Sequence, residues 1–180
     1  MNTQSYATFA RRLAAHFIDT ALFYTFVWGT QFTLLHDVVQ RSWGGLQFEL
    51  YLLMTVTLPA VSYYALSESS PWQATLGKQL MGLQVTGTAG ERLSFGRALI
   101  RAALRFLPFE IGHLSFALPT PIWVAPQEFR IGFVIVWVAL GLYVAAALLT
   151  TRKQSIHDLA AGTVVGQRQV KGMIDHGHSH

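Results

Sequence analysis

Apolar residues occur along the chain in long blocks rather than in short amphipathic strips. Three blocks are strongly apolar, at residues 13–35, 46–66 and 129–151. At a rise of about 1.5 Å per residue, each can form a helix that crosses about 30 Å of hydrocarbon. Pro59 inside the second block is tolerated in a membrane because neighbouring helices can satisfy the freed carbonyl group. The pattern therefore predicts at least three membrane-spanning helices.

A fourth apolar segment, residues 106–125, is ambiguous because it also contains three prolines, a glutamate and a histidine. If this segment crosses the membrane, both chain ends share one side with eleven of the thirteen Lys and Arg residues, whereas three spans divide them eight to five. Basic residues accumulate on the cytoplasmic side of membrane proteins. The charge bias therefore favours four spans with both termini cytoplasmic. The alternative is three spans plus a re-entrant or interfacial segment.

Polar segments separate the spans. Residues 36–45 are predicted to form a turn, and residues 67–105 a cytoplasmic loop. Within that loop, Thr75 and Ser94 are each placed to cap the start of a helix, and residues 83–86 are predicted to be extended. The rest of the chain is predicted to be a polar tail, residues 152–180. The whole chain is thus predicted to be one all-α domain, a polytopic transmembrane helical bundle.

The composition excludes several classes of protein. Charged residues make up 12% of the chain and apolar residues 52%, whereas a typical globular chain has about 25% charged residues. Because the chain has no cysteine, neither a disulfide framework nor a thiolate metal site is predicted. The net charge of +4 is attributed to cytoplasmic loops and not to nucleic-acid binding. No soluble-enzyme motif occurs, so we expect neither enzymatic activity nor a cofactor.

The first predicted span carries three ionisable residues on one face. Arg12, His16 and Asp19 follow one another at intervals of four and three residues, which places them within about 60° of one another around a helix. Asp19 lies roughly 10 Å further along the axis than Arg12. A carboxylate at that depth costs roughly 3 kcal/mol unless it faces the bundle interior and has a partner. The stripe is therefore a candidate ion or proton pathway, or else a set of helix-to-helix pairs.

Three ordered segments resemble the motifs of the RDD family of membrane proteins, which is named for one arginine and two aspartates. They are RRLAAHFID at residues 11–19, SPWQATLGKQLMGLQV at 70–85 with LSFGRALIR at 93–101, and HDLAAGTVV at 157–165. The resemblance assigns the family's arginine to Arg12, with Arg11 as the alternative. It assigns the two aspartates to Asp19 and Asp158. It implies a helical membrane domain whose members include cation/proton antiporters and accessory domains.

A basic stripe lies in the central hydrophilic stretch. Arg97, Arg101 and Arg105 repeat every four residues on one face of a predicted helix that begins at Phe95. Such a helix is typical of the cytoplasmic interface, where anionic lipid headgroups attract each basic residue by about 1 kcal/mol. The alternative is that one of these arginines enters the bundle and pairs with one of the two family aspartates.

Other charged residues have simpler explanations. Lys78 is expected to pair with a lipid phosphate or with a carboxylate such as Glu68. Asp158 follows Ser155 by three residues, which is the spacing of a helix capping box. Two carboxylates near span ends, Glu49 and Glu110, could line an external vestibule, although interfacial carboxylates are common. The histidines at 176, 178 and 180 could bind a soft divalent metal only weakly, so no metal site is predicted.

Together these features predict a protein of the bacterial inner membrane that exchanges protons for a monovalent cation. Asp19 would hold the proton and the cation in turn, and Asp158 with an arginine would set its position or its affinity for protons. A chain with four spans would form a homo-oligomer to enclose a pathway. The competing hypothesis is a non-transporting scaffold or assembly protein in which the same charges join helices.

Overall fold

The apolar blocks fold into long helices in the computed structural model, which describes residues 6–33, 44–122, 124 and 129–168. In chain order the elements are α1 (Phe9–Thr33), α2 (Gly45–Ser69), α3 (Leu76–Leu80), β1 (Leu83–Gly87), α4 (Phe95–Ala117), α5 (Ile131–Leu149), α6 (Ile156–Ala160) and β2 (Thr163–Gln167). Most of the predicted turn at 36–45 and the histidine-containing tail lie outside the described residues.

Both ends of the described chain meet at one end of the helices. Strands β1 and β2 pair in antiparallel fashion, with Val85 opposite Val165, and the Ala7 amide donates to the Val165 carbonyl at 3.0 Å. The start of α1, the end of α2, the start of α4 and the end of α5 therefore lie together. We call the group formed by α3, β1, α6 and β2 the cap.

The cap contains the main departure from an all-helical prediction. Residues 83–86 were predicted to be extended and do form most of β1, whereas β2 falls in residues predicted to be a polar tail. Each strand follows a short helix and a glycine with positive φ, Gly82 before β1 and Gly162 before β2. Glycine adopts this left-handed conformation without strain, which lets the chain reverse from helix into strand.

A wide π-helical turn, Leu53–Thr57, interrupts α2 just before Pro59. Proline lacks an amide hydrogen, and its ring clashes with the carbonyl four residues earlier. The π turn shifts the local pattern so that the Leu58 amide bonds to the Leu53 carbonyl, and helix continues on both sides. The second predicted span is therefore one element of 25 residues.

Helix α4 joins two segments that the sequence pattern separated. The predicted interfacial helix from Phe95 and the predicted span at 106–125 form a single helix that ends at Ala117. Ser94 caps its start, as predicted, by accepting a hydrogen bond from the Arg97 amide. Pro108 lies inside the helix. The loss of one amide donor there is small beside the packing of α4 against α2 and α5.

Two of the described helices, α2 and α5, are long and apolar enough to cross a membrane by length and composition. Large apolar side chains point away from the molecule along α1 and α5, with Trp28 72% and Trp137 74% exposed. An exposed apolar surface of this extent is typical of contact with lipid or with another chain. The fold is therefore a mostly helical one with at least two candidate membrane spans.

Helix α1 and the cap helix α3 approach so closely that only glycine fits at Gly77. A Cβ atom at that position would lie 2.1 Å from the Ala15 carbonyl oxygen and 2.9 Å from Cγ of Asp19. Neither neighbour is the free end of a flexible side chain. The contact between α1 and α3 therefore depends on this missing side chain.

Gly77→Ala should lower the free energy of unfolding by about 1–3 kcal/mol, the cost of overpacking a filled site. Gly96→Ala is the control, because no atom lies within 4 Å of a Cβ at Gly96, and alanine favours helix over glycine. Thermal unfolding of the two variants in detergent tests the difference. Equal stabilities would show that α1 and α3 are not in close contact.

Candidate functional site

Asp158 lies at the centre of the cap and is completely buried. The predicted capping box is confirmed: the Ser155 amide donates to Oδ2 of Asp158 at 3.0 Å, and Ser155 caps the start of α6. Two arginines from long helices also reach this carboxylate. Arg101 of α4 donates from Nε to Oδ1 at 3.0 Å, and Arg12 of α1 donates to Oδ2.

These guanidinium groups determine the protonation state of Asp158. Burial alone would raise the pKa of its carboxyl group, but the positive charges of Arg101 and Arg12 hold that pKa well below its usual range. Asp158 is therefore an anion at every physiological pH. Its role follows from its partners: it fixes α6 to α1 and α4.

The same arginine continues the network to α2 and α3. Arg101 is 1% exposed and also pairs with Glu68, whose second carboxylate oxygen accepts from Nζ of Lys78 at 2.8 Å. Burial lowers the pKa of Lys78 to about 8, although Glu68 acts in the opposite direction. Lys78 is thus protonated at neutral pH. We call Arg12, Asp158, Arg101, Glu68 and Lys78 the ion-pair network.

Asp19 is almost fully buried but is held differently. Its carboxylate accepts hydrogen bonds from the Tyr63 hydroxyl at 2.9 Å, the Thr75 hydroxyl at 2.5 Å and the Gly77 amide at 2.7 Å. All three donors are electrically neutral. Within the described part of the chain, no basic side chain forms an ion pair with Asp19. Dipoles therefore hold the carboxylate directly, and the ammonium group of Lys78 lies one hydroxyl away, 3.5 Å from Oγ1 of Thr75.

Asp19 borders a cavity of about 70 Å³ between α1, α2 and α4. His16 and Tyr64 line this cavity, with Nδ1 of His16 lying 3.4 Å from the Tyr64 hydroxyl, and Thr57 and His113 also line it. The sequence placed His16 and Asp19 on one face of the first helix, and both do reach one cavity. The structure therefore separates the predicted stripe: Arg12 joins the ion-pair network, whereas His16 and Asp19 face an internal space.

A second group of ionisable residues lies further along α2 and α4, and the sequence pattern assigned them no functional role. Thr57 donates to Oε1 of Glu110, and Nδ1 of His113 lies 3.4 Å from that oxygen. Glu49 of α2 is 6% exposed and lies close enough to Glu110 for the two carboxyl groups to interact. The available sequence signal was the three-residue spacing of Glu110 and His113, which places them on one helix face.

The remaining members of the predicted basic stripe have separate partners. Arg97 pairs with the exposed Glu91 at 2.6 Å and also donates to the carbonyls of Ala161 and Gly162 in the cap. Arg105 lies 2.9 Å from Nδ1 of His16 and stacks over the Tyr64 ring. The stripe on α4 thus faces the cap and α1.

The family model of the RDD family matches residues 6–162. This range contains every residue of the ion-pair network, and Asp19 with it. The chain belongs to the RDD family. RDD proteins are membrane proteins, which agrees with the two apolar helices of candidate spanning length.

The other comparisons with known proteins give no information about activity. The chain is 33% identical over 66 residues to the uncharacterized protein YxaI of Bacillus subtilis (strain 168), a match covering 37% of this chain and 44% of that protein. The match thus covers less than half the length of that relative. No solved structure matches this RDD protein.

Glu68→Gln should destabilise the protein by about 3–5 kcal/mol, because it leaves Lys78 buried without an acidic partner and removes one of the two carboxylates from Arg101. Glu91→Gln is the matched control. It makes the same chemical change in an exposed ion pair, where solvent screens the charges, so little change is expected. Thermal unfolding of both variants provides the comparison. A Glu68→Gln protein as stable as Glu91→Gln would show that the network adds no stability.

Asp158 should make the folded state sensitive to acid. Its folded pKa lies below the unfolded value of about 3.9, so its stabilisation is complete above about pH 5 and is lost as the pH falls through the folded pKa. The wild-type melting temperature should therefore fall steeply in acid. Asp158→Asn should be less stable at neutral pH, with a flatter acid dependence. Parallel pH curves for the two proteins would contradict the assignment.

Proposed function

We propose that this RDD protein is a four-span protein of the bacterial inner membrane with both termini cytoplasmic. The four long helices alternate in direction, and the cap collects the start of α1 and the end of α5 at one end. Nine of the basic residues lie in or next to that end, namely Arg11, Arg12, Lys78, Arg92, Arg97, Arg101, Arg152, Lys153 and Arg168. This is the distribution that the positive-inside rule requires of a cytoplasmic face.

Helices α1 and α4 are included as spans because of their length and the direction of their charges. They have 25 and 23 residues, which exceeds the roughly 20 residues that cross a bilayer. Their charged side chains reduce the average apolarity, but Asp19 and Arg101 are each 1% exposed. Ionisable residues inside membranes characteristically face the bundle interior in this way.

The proposed activity is proton-coupled exchange of a monovalent cation at Asp19. One observation supports it: a buried carboxylate bordering a cavity inside the bundle is held by neutral donors only. A buried carboxylate without a direct ion pair is costly, and either a bound proton or a bound cation lowers that cost. Competition between the two ligands for one carboxylate is the simplest basis for exchange.

The polar groups beyond Asp19 extend this proposal across the bundle. The cavity leads from His16 and Asp19 towards Thr57 and His113, and Glu110 contacts both of the latter. These residues form a line of proton donors and acceptors along the interior faces of α1, α2 and α4. A homo-oligomer would supply the outer walls of the pathway, and we propose neither an enzymatic reaction nor a cofactor.

A second candidate function is a non-transporting scaffold or assembly protein. The closure of the ion-pair network favours it, because each of its five members has its partners within the network. In this alternative Asp19 serves only to fix α3 to α1 and α2 through Thr75, Gly77 and Tyr63. The two candidate functions differ in whether Asp19 binds a transported proton or cation, or only holds the helices together.

Asp19→Asn should abolish exchange while keeping most of the fold. The amide oxygen can still accept from the Tyr63 hydroxyl and the Gly77 amide, which share one carboxylate oxygen, and the amide nitrogen can donate to the Thr75 hydroxyl. The measurement is proton flux driven by Na⁺, K⁺ or Li⁺ gradients in liposomes containing the purified protein. Glu91→Gln is the control for a lost surface carboxylate and should transport at the wild-type rate.

Wild-type flux no greater than that of empty liposomes, with every cation, would exclude exchange. Flux that persists in Asp19→Asn would exclude Asp19 as the exchanging group. If the Asp19→Asn variant instead loses its oligomer or aggregates, the scaffold hypothesis gains support.

The proposed topology can be tested with single cysteines, because the chain has none of its own. Thr88→Cys and Thr151→Cys should react with a membrane-impermeant maleimide only from the cytoplasmic side, and Val124→Cys only from the other side. All three positions are exposed. Labelling of Val124→Cys from the cytoplasmic side would show that α4 does not cross the membrane.

A further inference from the structure

A second cavity, of about 180 Å³, lies between α1, α4 and α5 and is partly open to the surroundings. His16 lines both this cavity and the one that borders Asp19. A water molecule needs a cavity of only about 15 Å³, so this space can hold a group much larger than water. Its polar lining contains four basic residues, Arg12, Lys78, Arg101 and Arg105, together with Tyr143, Ser155 and His157.

The charges around this cavity do not balance. Asp158 and Glu68 pair with Arg12, Arg101 and Lys78, and Asp19 faces Lys78 across the Thr75 hydroxyl, so these three cations face three anions. Arg105 adds a fourth cation. Its guanidinium contacts the His16 ring and the Tyr64 ring, and no acidic side chain in the described ranges forms an ion pair with it. A cation so enclosed is stabilised by an anion.

Much of the remaining lining of the cavity is apolar. Leu13 of α1 and Leu140 and Val144 of α5 line it together with Phe109 of α4. Leu13 and Val144 are also about two-fifths exposed, at 39% and 43%, so the apolar wall continues to the outer surface of the bundle. The cavity therefore presents a basic interior and an apolar mouth, next to the cytoplasmic end of the proposed spans.

We propose that this cavity binds the phosphate group of an anionic phospholipid, with Arg105 as its principal contact. Guanidinium groups bind phosphate through several N–H donors in a fixed plane, and basic pockets between membrane helices bind lipid headgroups of this kind. The acyl chains lie along Leu13, Leu140 and Val144. A soluble phosphate ion would gain nothing from contact with these apolar residues, whereas acyl chains would. The lipid site does not depend on the proposed cation exchange.

The test is lipid retention by the whole protein, released from nanodiscs of mixed phosphatidylglycerol and phosphatidylcholine and observed by native mass spectrometry. Wild-type protein should retain phosphatidylglycerol preferentially. Arg105→Gln should lower that preference roughly five-fold or more, as expected for the loss of one lipid-facing cation. Arg11→Gln is the control, because Arg11 is an exposed arginine outside the cavity, and should keep the wild-type preference.

A second variant and a thermal-shift measurement complete the test. Leu140→Trp fills the apolar mouth without changing charge and should also reduce retention, which covers the case in which Arg105→Gln does not fold. Thermal shifts with inorganic phosphate in zwitterionic detergent identify the source of the phosphate. A shift as large as that given by phosphatidylglycerol would overturn the lipid assignment. Equal lipid preference in wild type, Arg105→Gln and Leu140→Trp would overturn the site itself.

Discussion

A guanidinium buried between two carboxylates holds this RDD protein together. Arg101 contacts Asp158 of the cap on one side and Glu68 of α2 on the other, and all three are at most 1% exposed. Removing such charges from water costs several kcal/mol for each ion. That cost is offset only when every member keeps its partner. Because the members come from α1, α2, α3, α4 and α6, the network sets the position of the cap relative to the helices.

The two family aspartates have different electrostatic situations although both are buried. Two arginines neutralise Asp158, which also caps a helix, so the described contacts of its carboxylate all hold the structure together. Asp19 receives only a phenol, a hydroxyl and a backbone amide. Those donors stabilise the anion without cancelling its charge. Of the two aspartates, Asp19 is therefore the one to which the proposed exchange is assigned, because it has no direct ion pair to break.

Much of the fold could be predicted from the sequence because apolar blocks and caps are local signals. Thr75 and Ser94 begin helices as their side chains predict, and the capping box of Ser155 and Asp158 forms. The continuity of α4 could not be predicted, since Pro108 and the basic stripe both favour a boundary. Strand β2 could not be predicted either, because its residues become a strand only by pairing with β1, about 80 residues earlier in the chain.

The pairing of the charges also lay beyond the sequence. The four-residue spacing of Arg97, Arg101 and Arg105 placed them on one helix face, but that spacing is the same for a face directed at lipid and a face directed at the cap. Only the tertiary structure assigns Arg101 to Asp158 and Glu68 and leaves Arg105 beside His16. Likewise, the partners of Asp19 come from α2 and from the start of α3, more than 40 residues away.

The most direct test of Asp19 is proton release on cation binding, which requires neither a gradient nor an oligomeric pathway. Purified protein in weakly buffered detergent solution is mixed with Na⁺, K⁺ or Li⁺ at a series of starting pH values, and the pH change is followed with an indicator dye. The series reaches into the acid range where carboxyl groups hold a proton. Wild type and Glu91→Gln should release protons with at least one of these cations, and Asp19→Asn should release none. Equal release from Asp19→Asn and wild type, or no release from wild type with any cation, would contradict the assignment of Asp19 as the exchanging carboxylate.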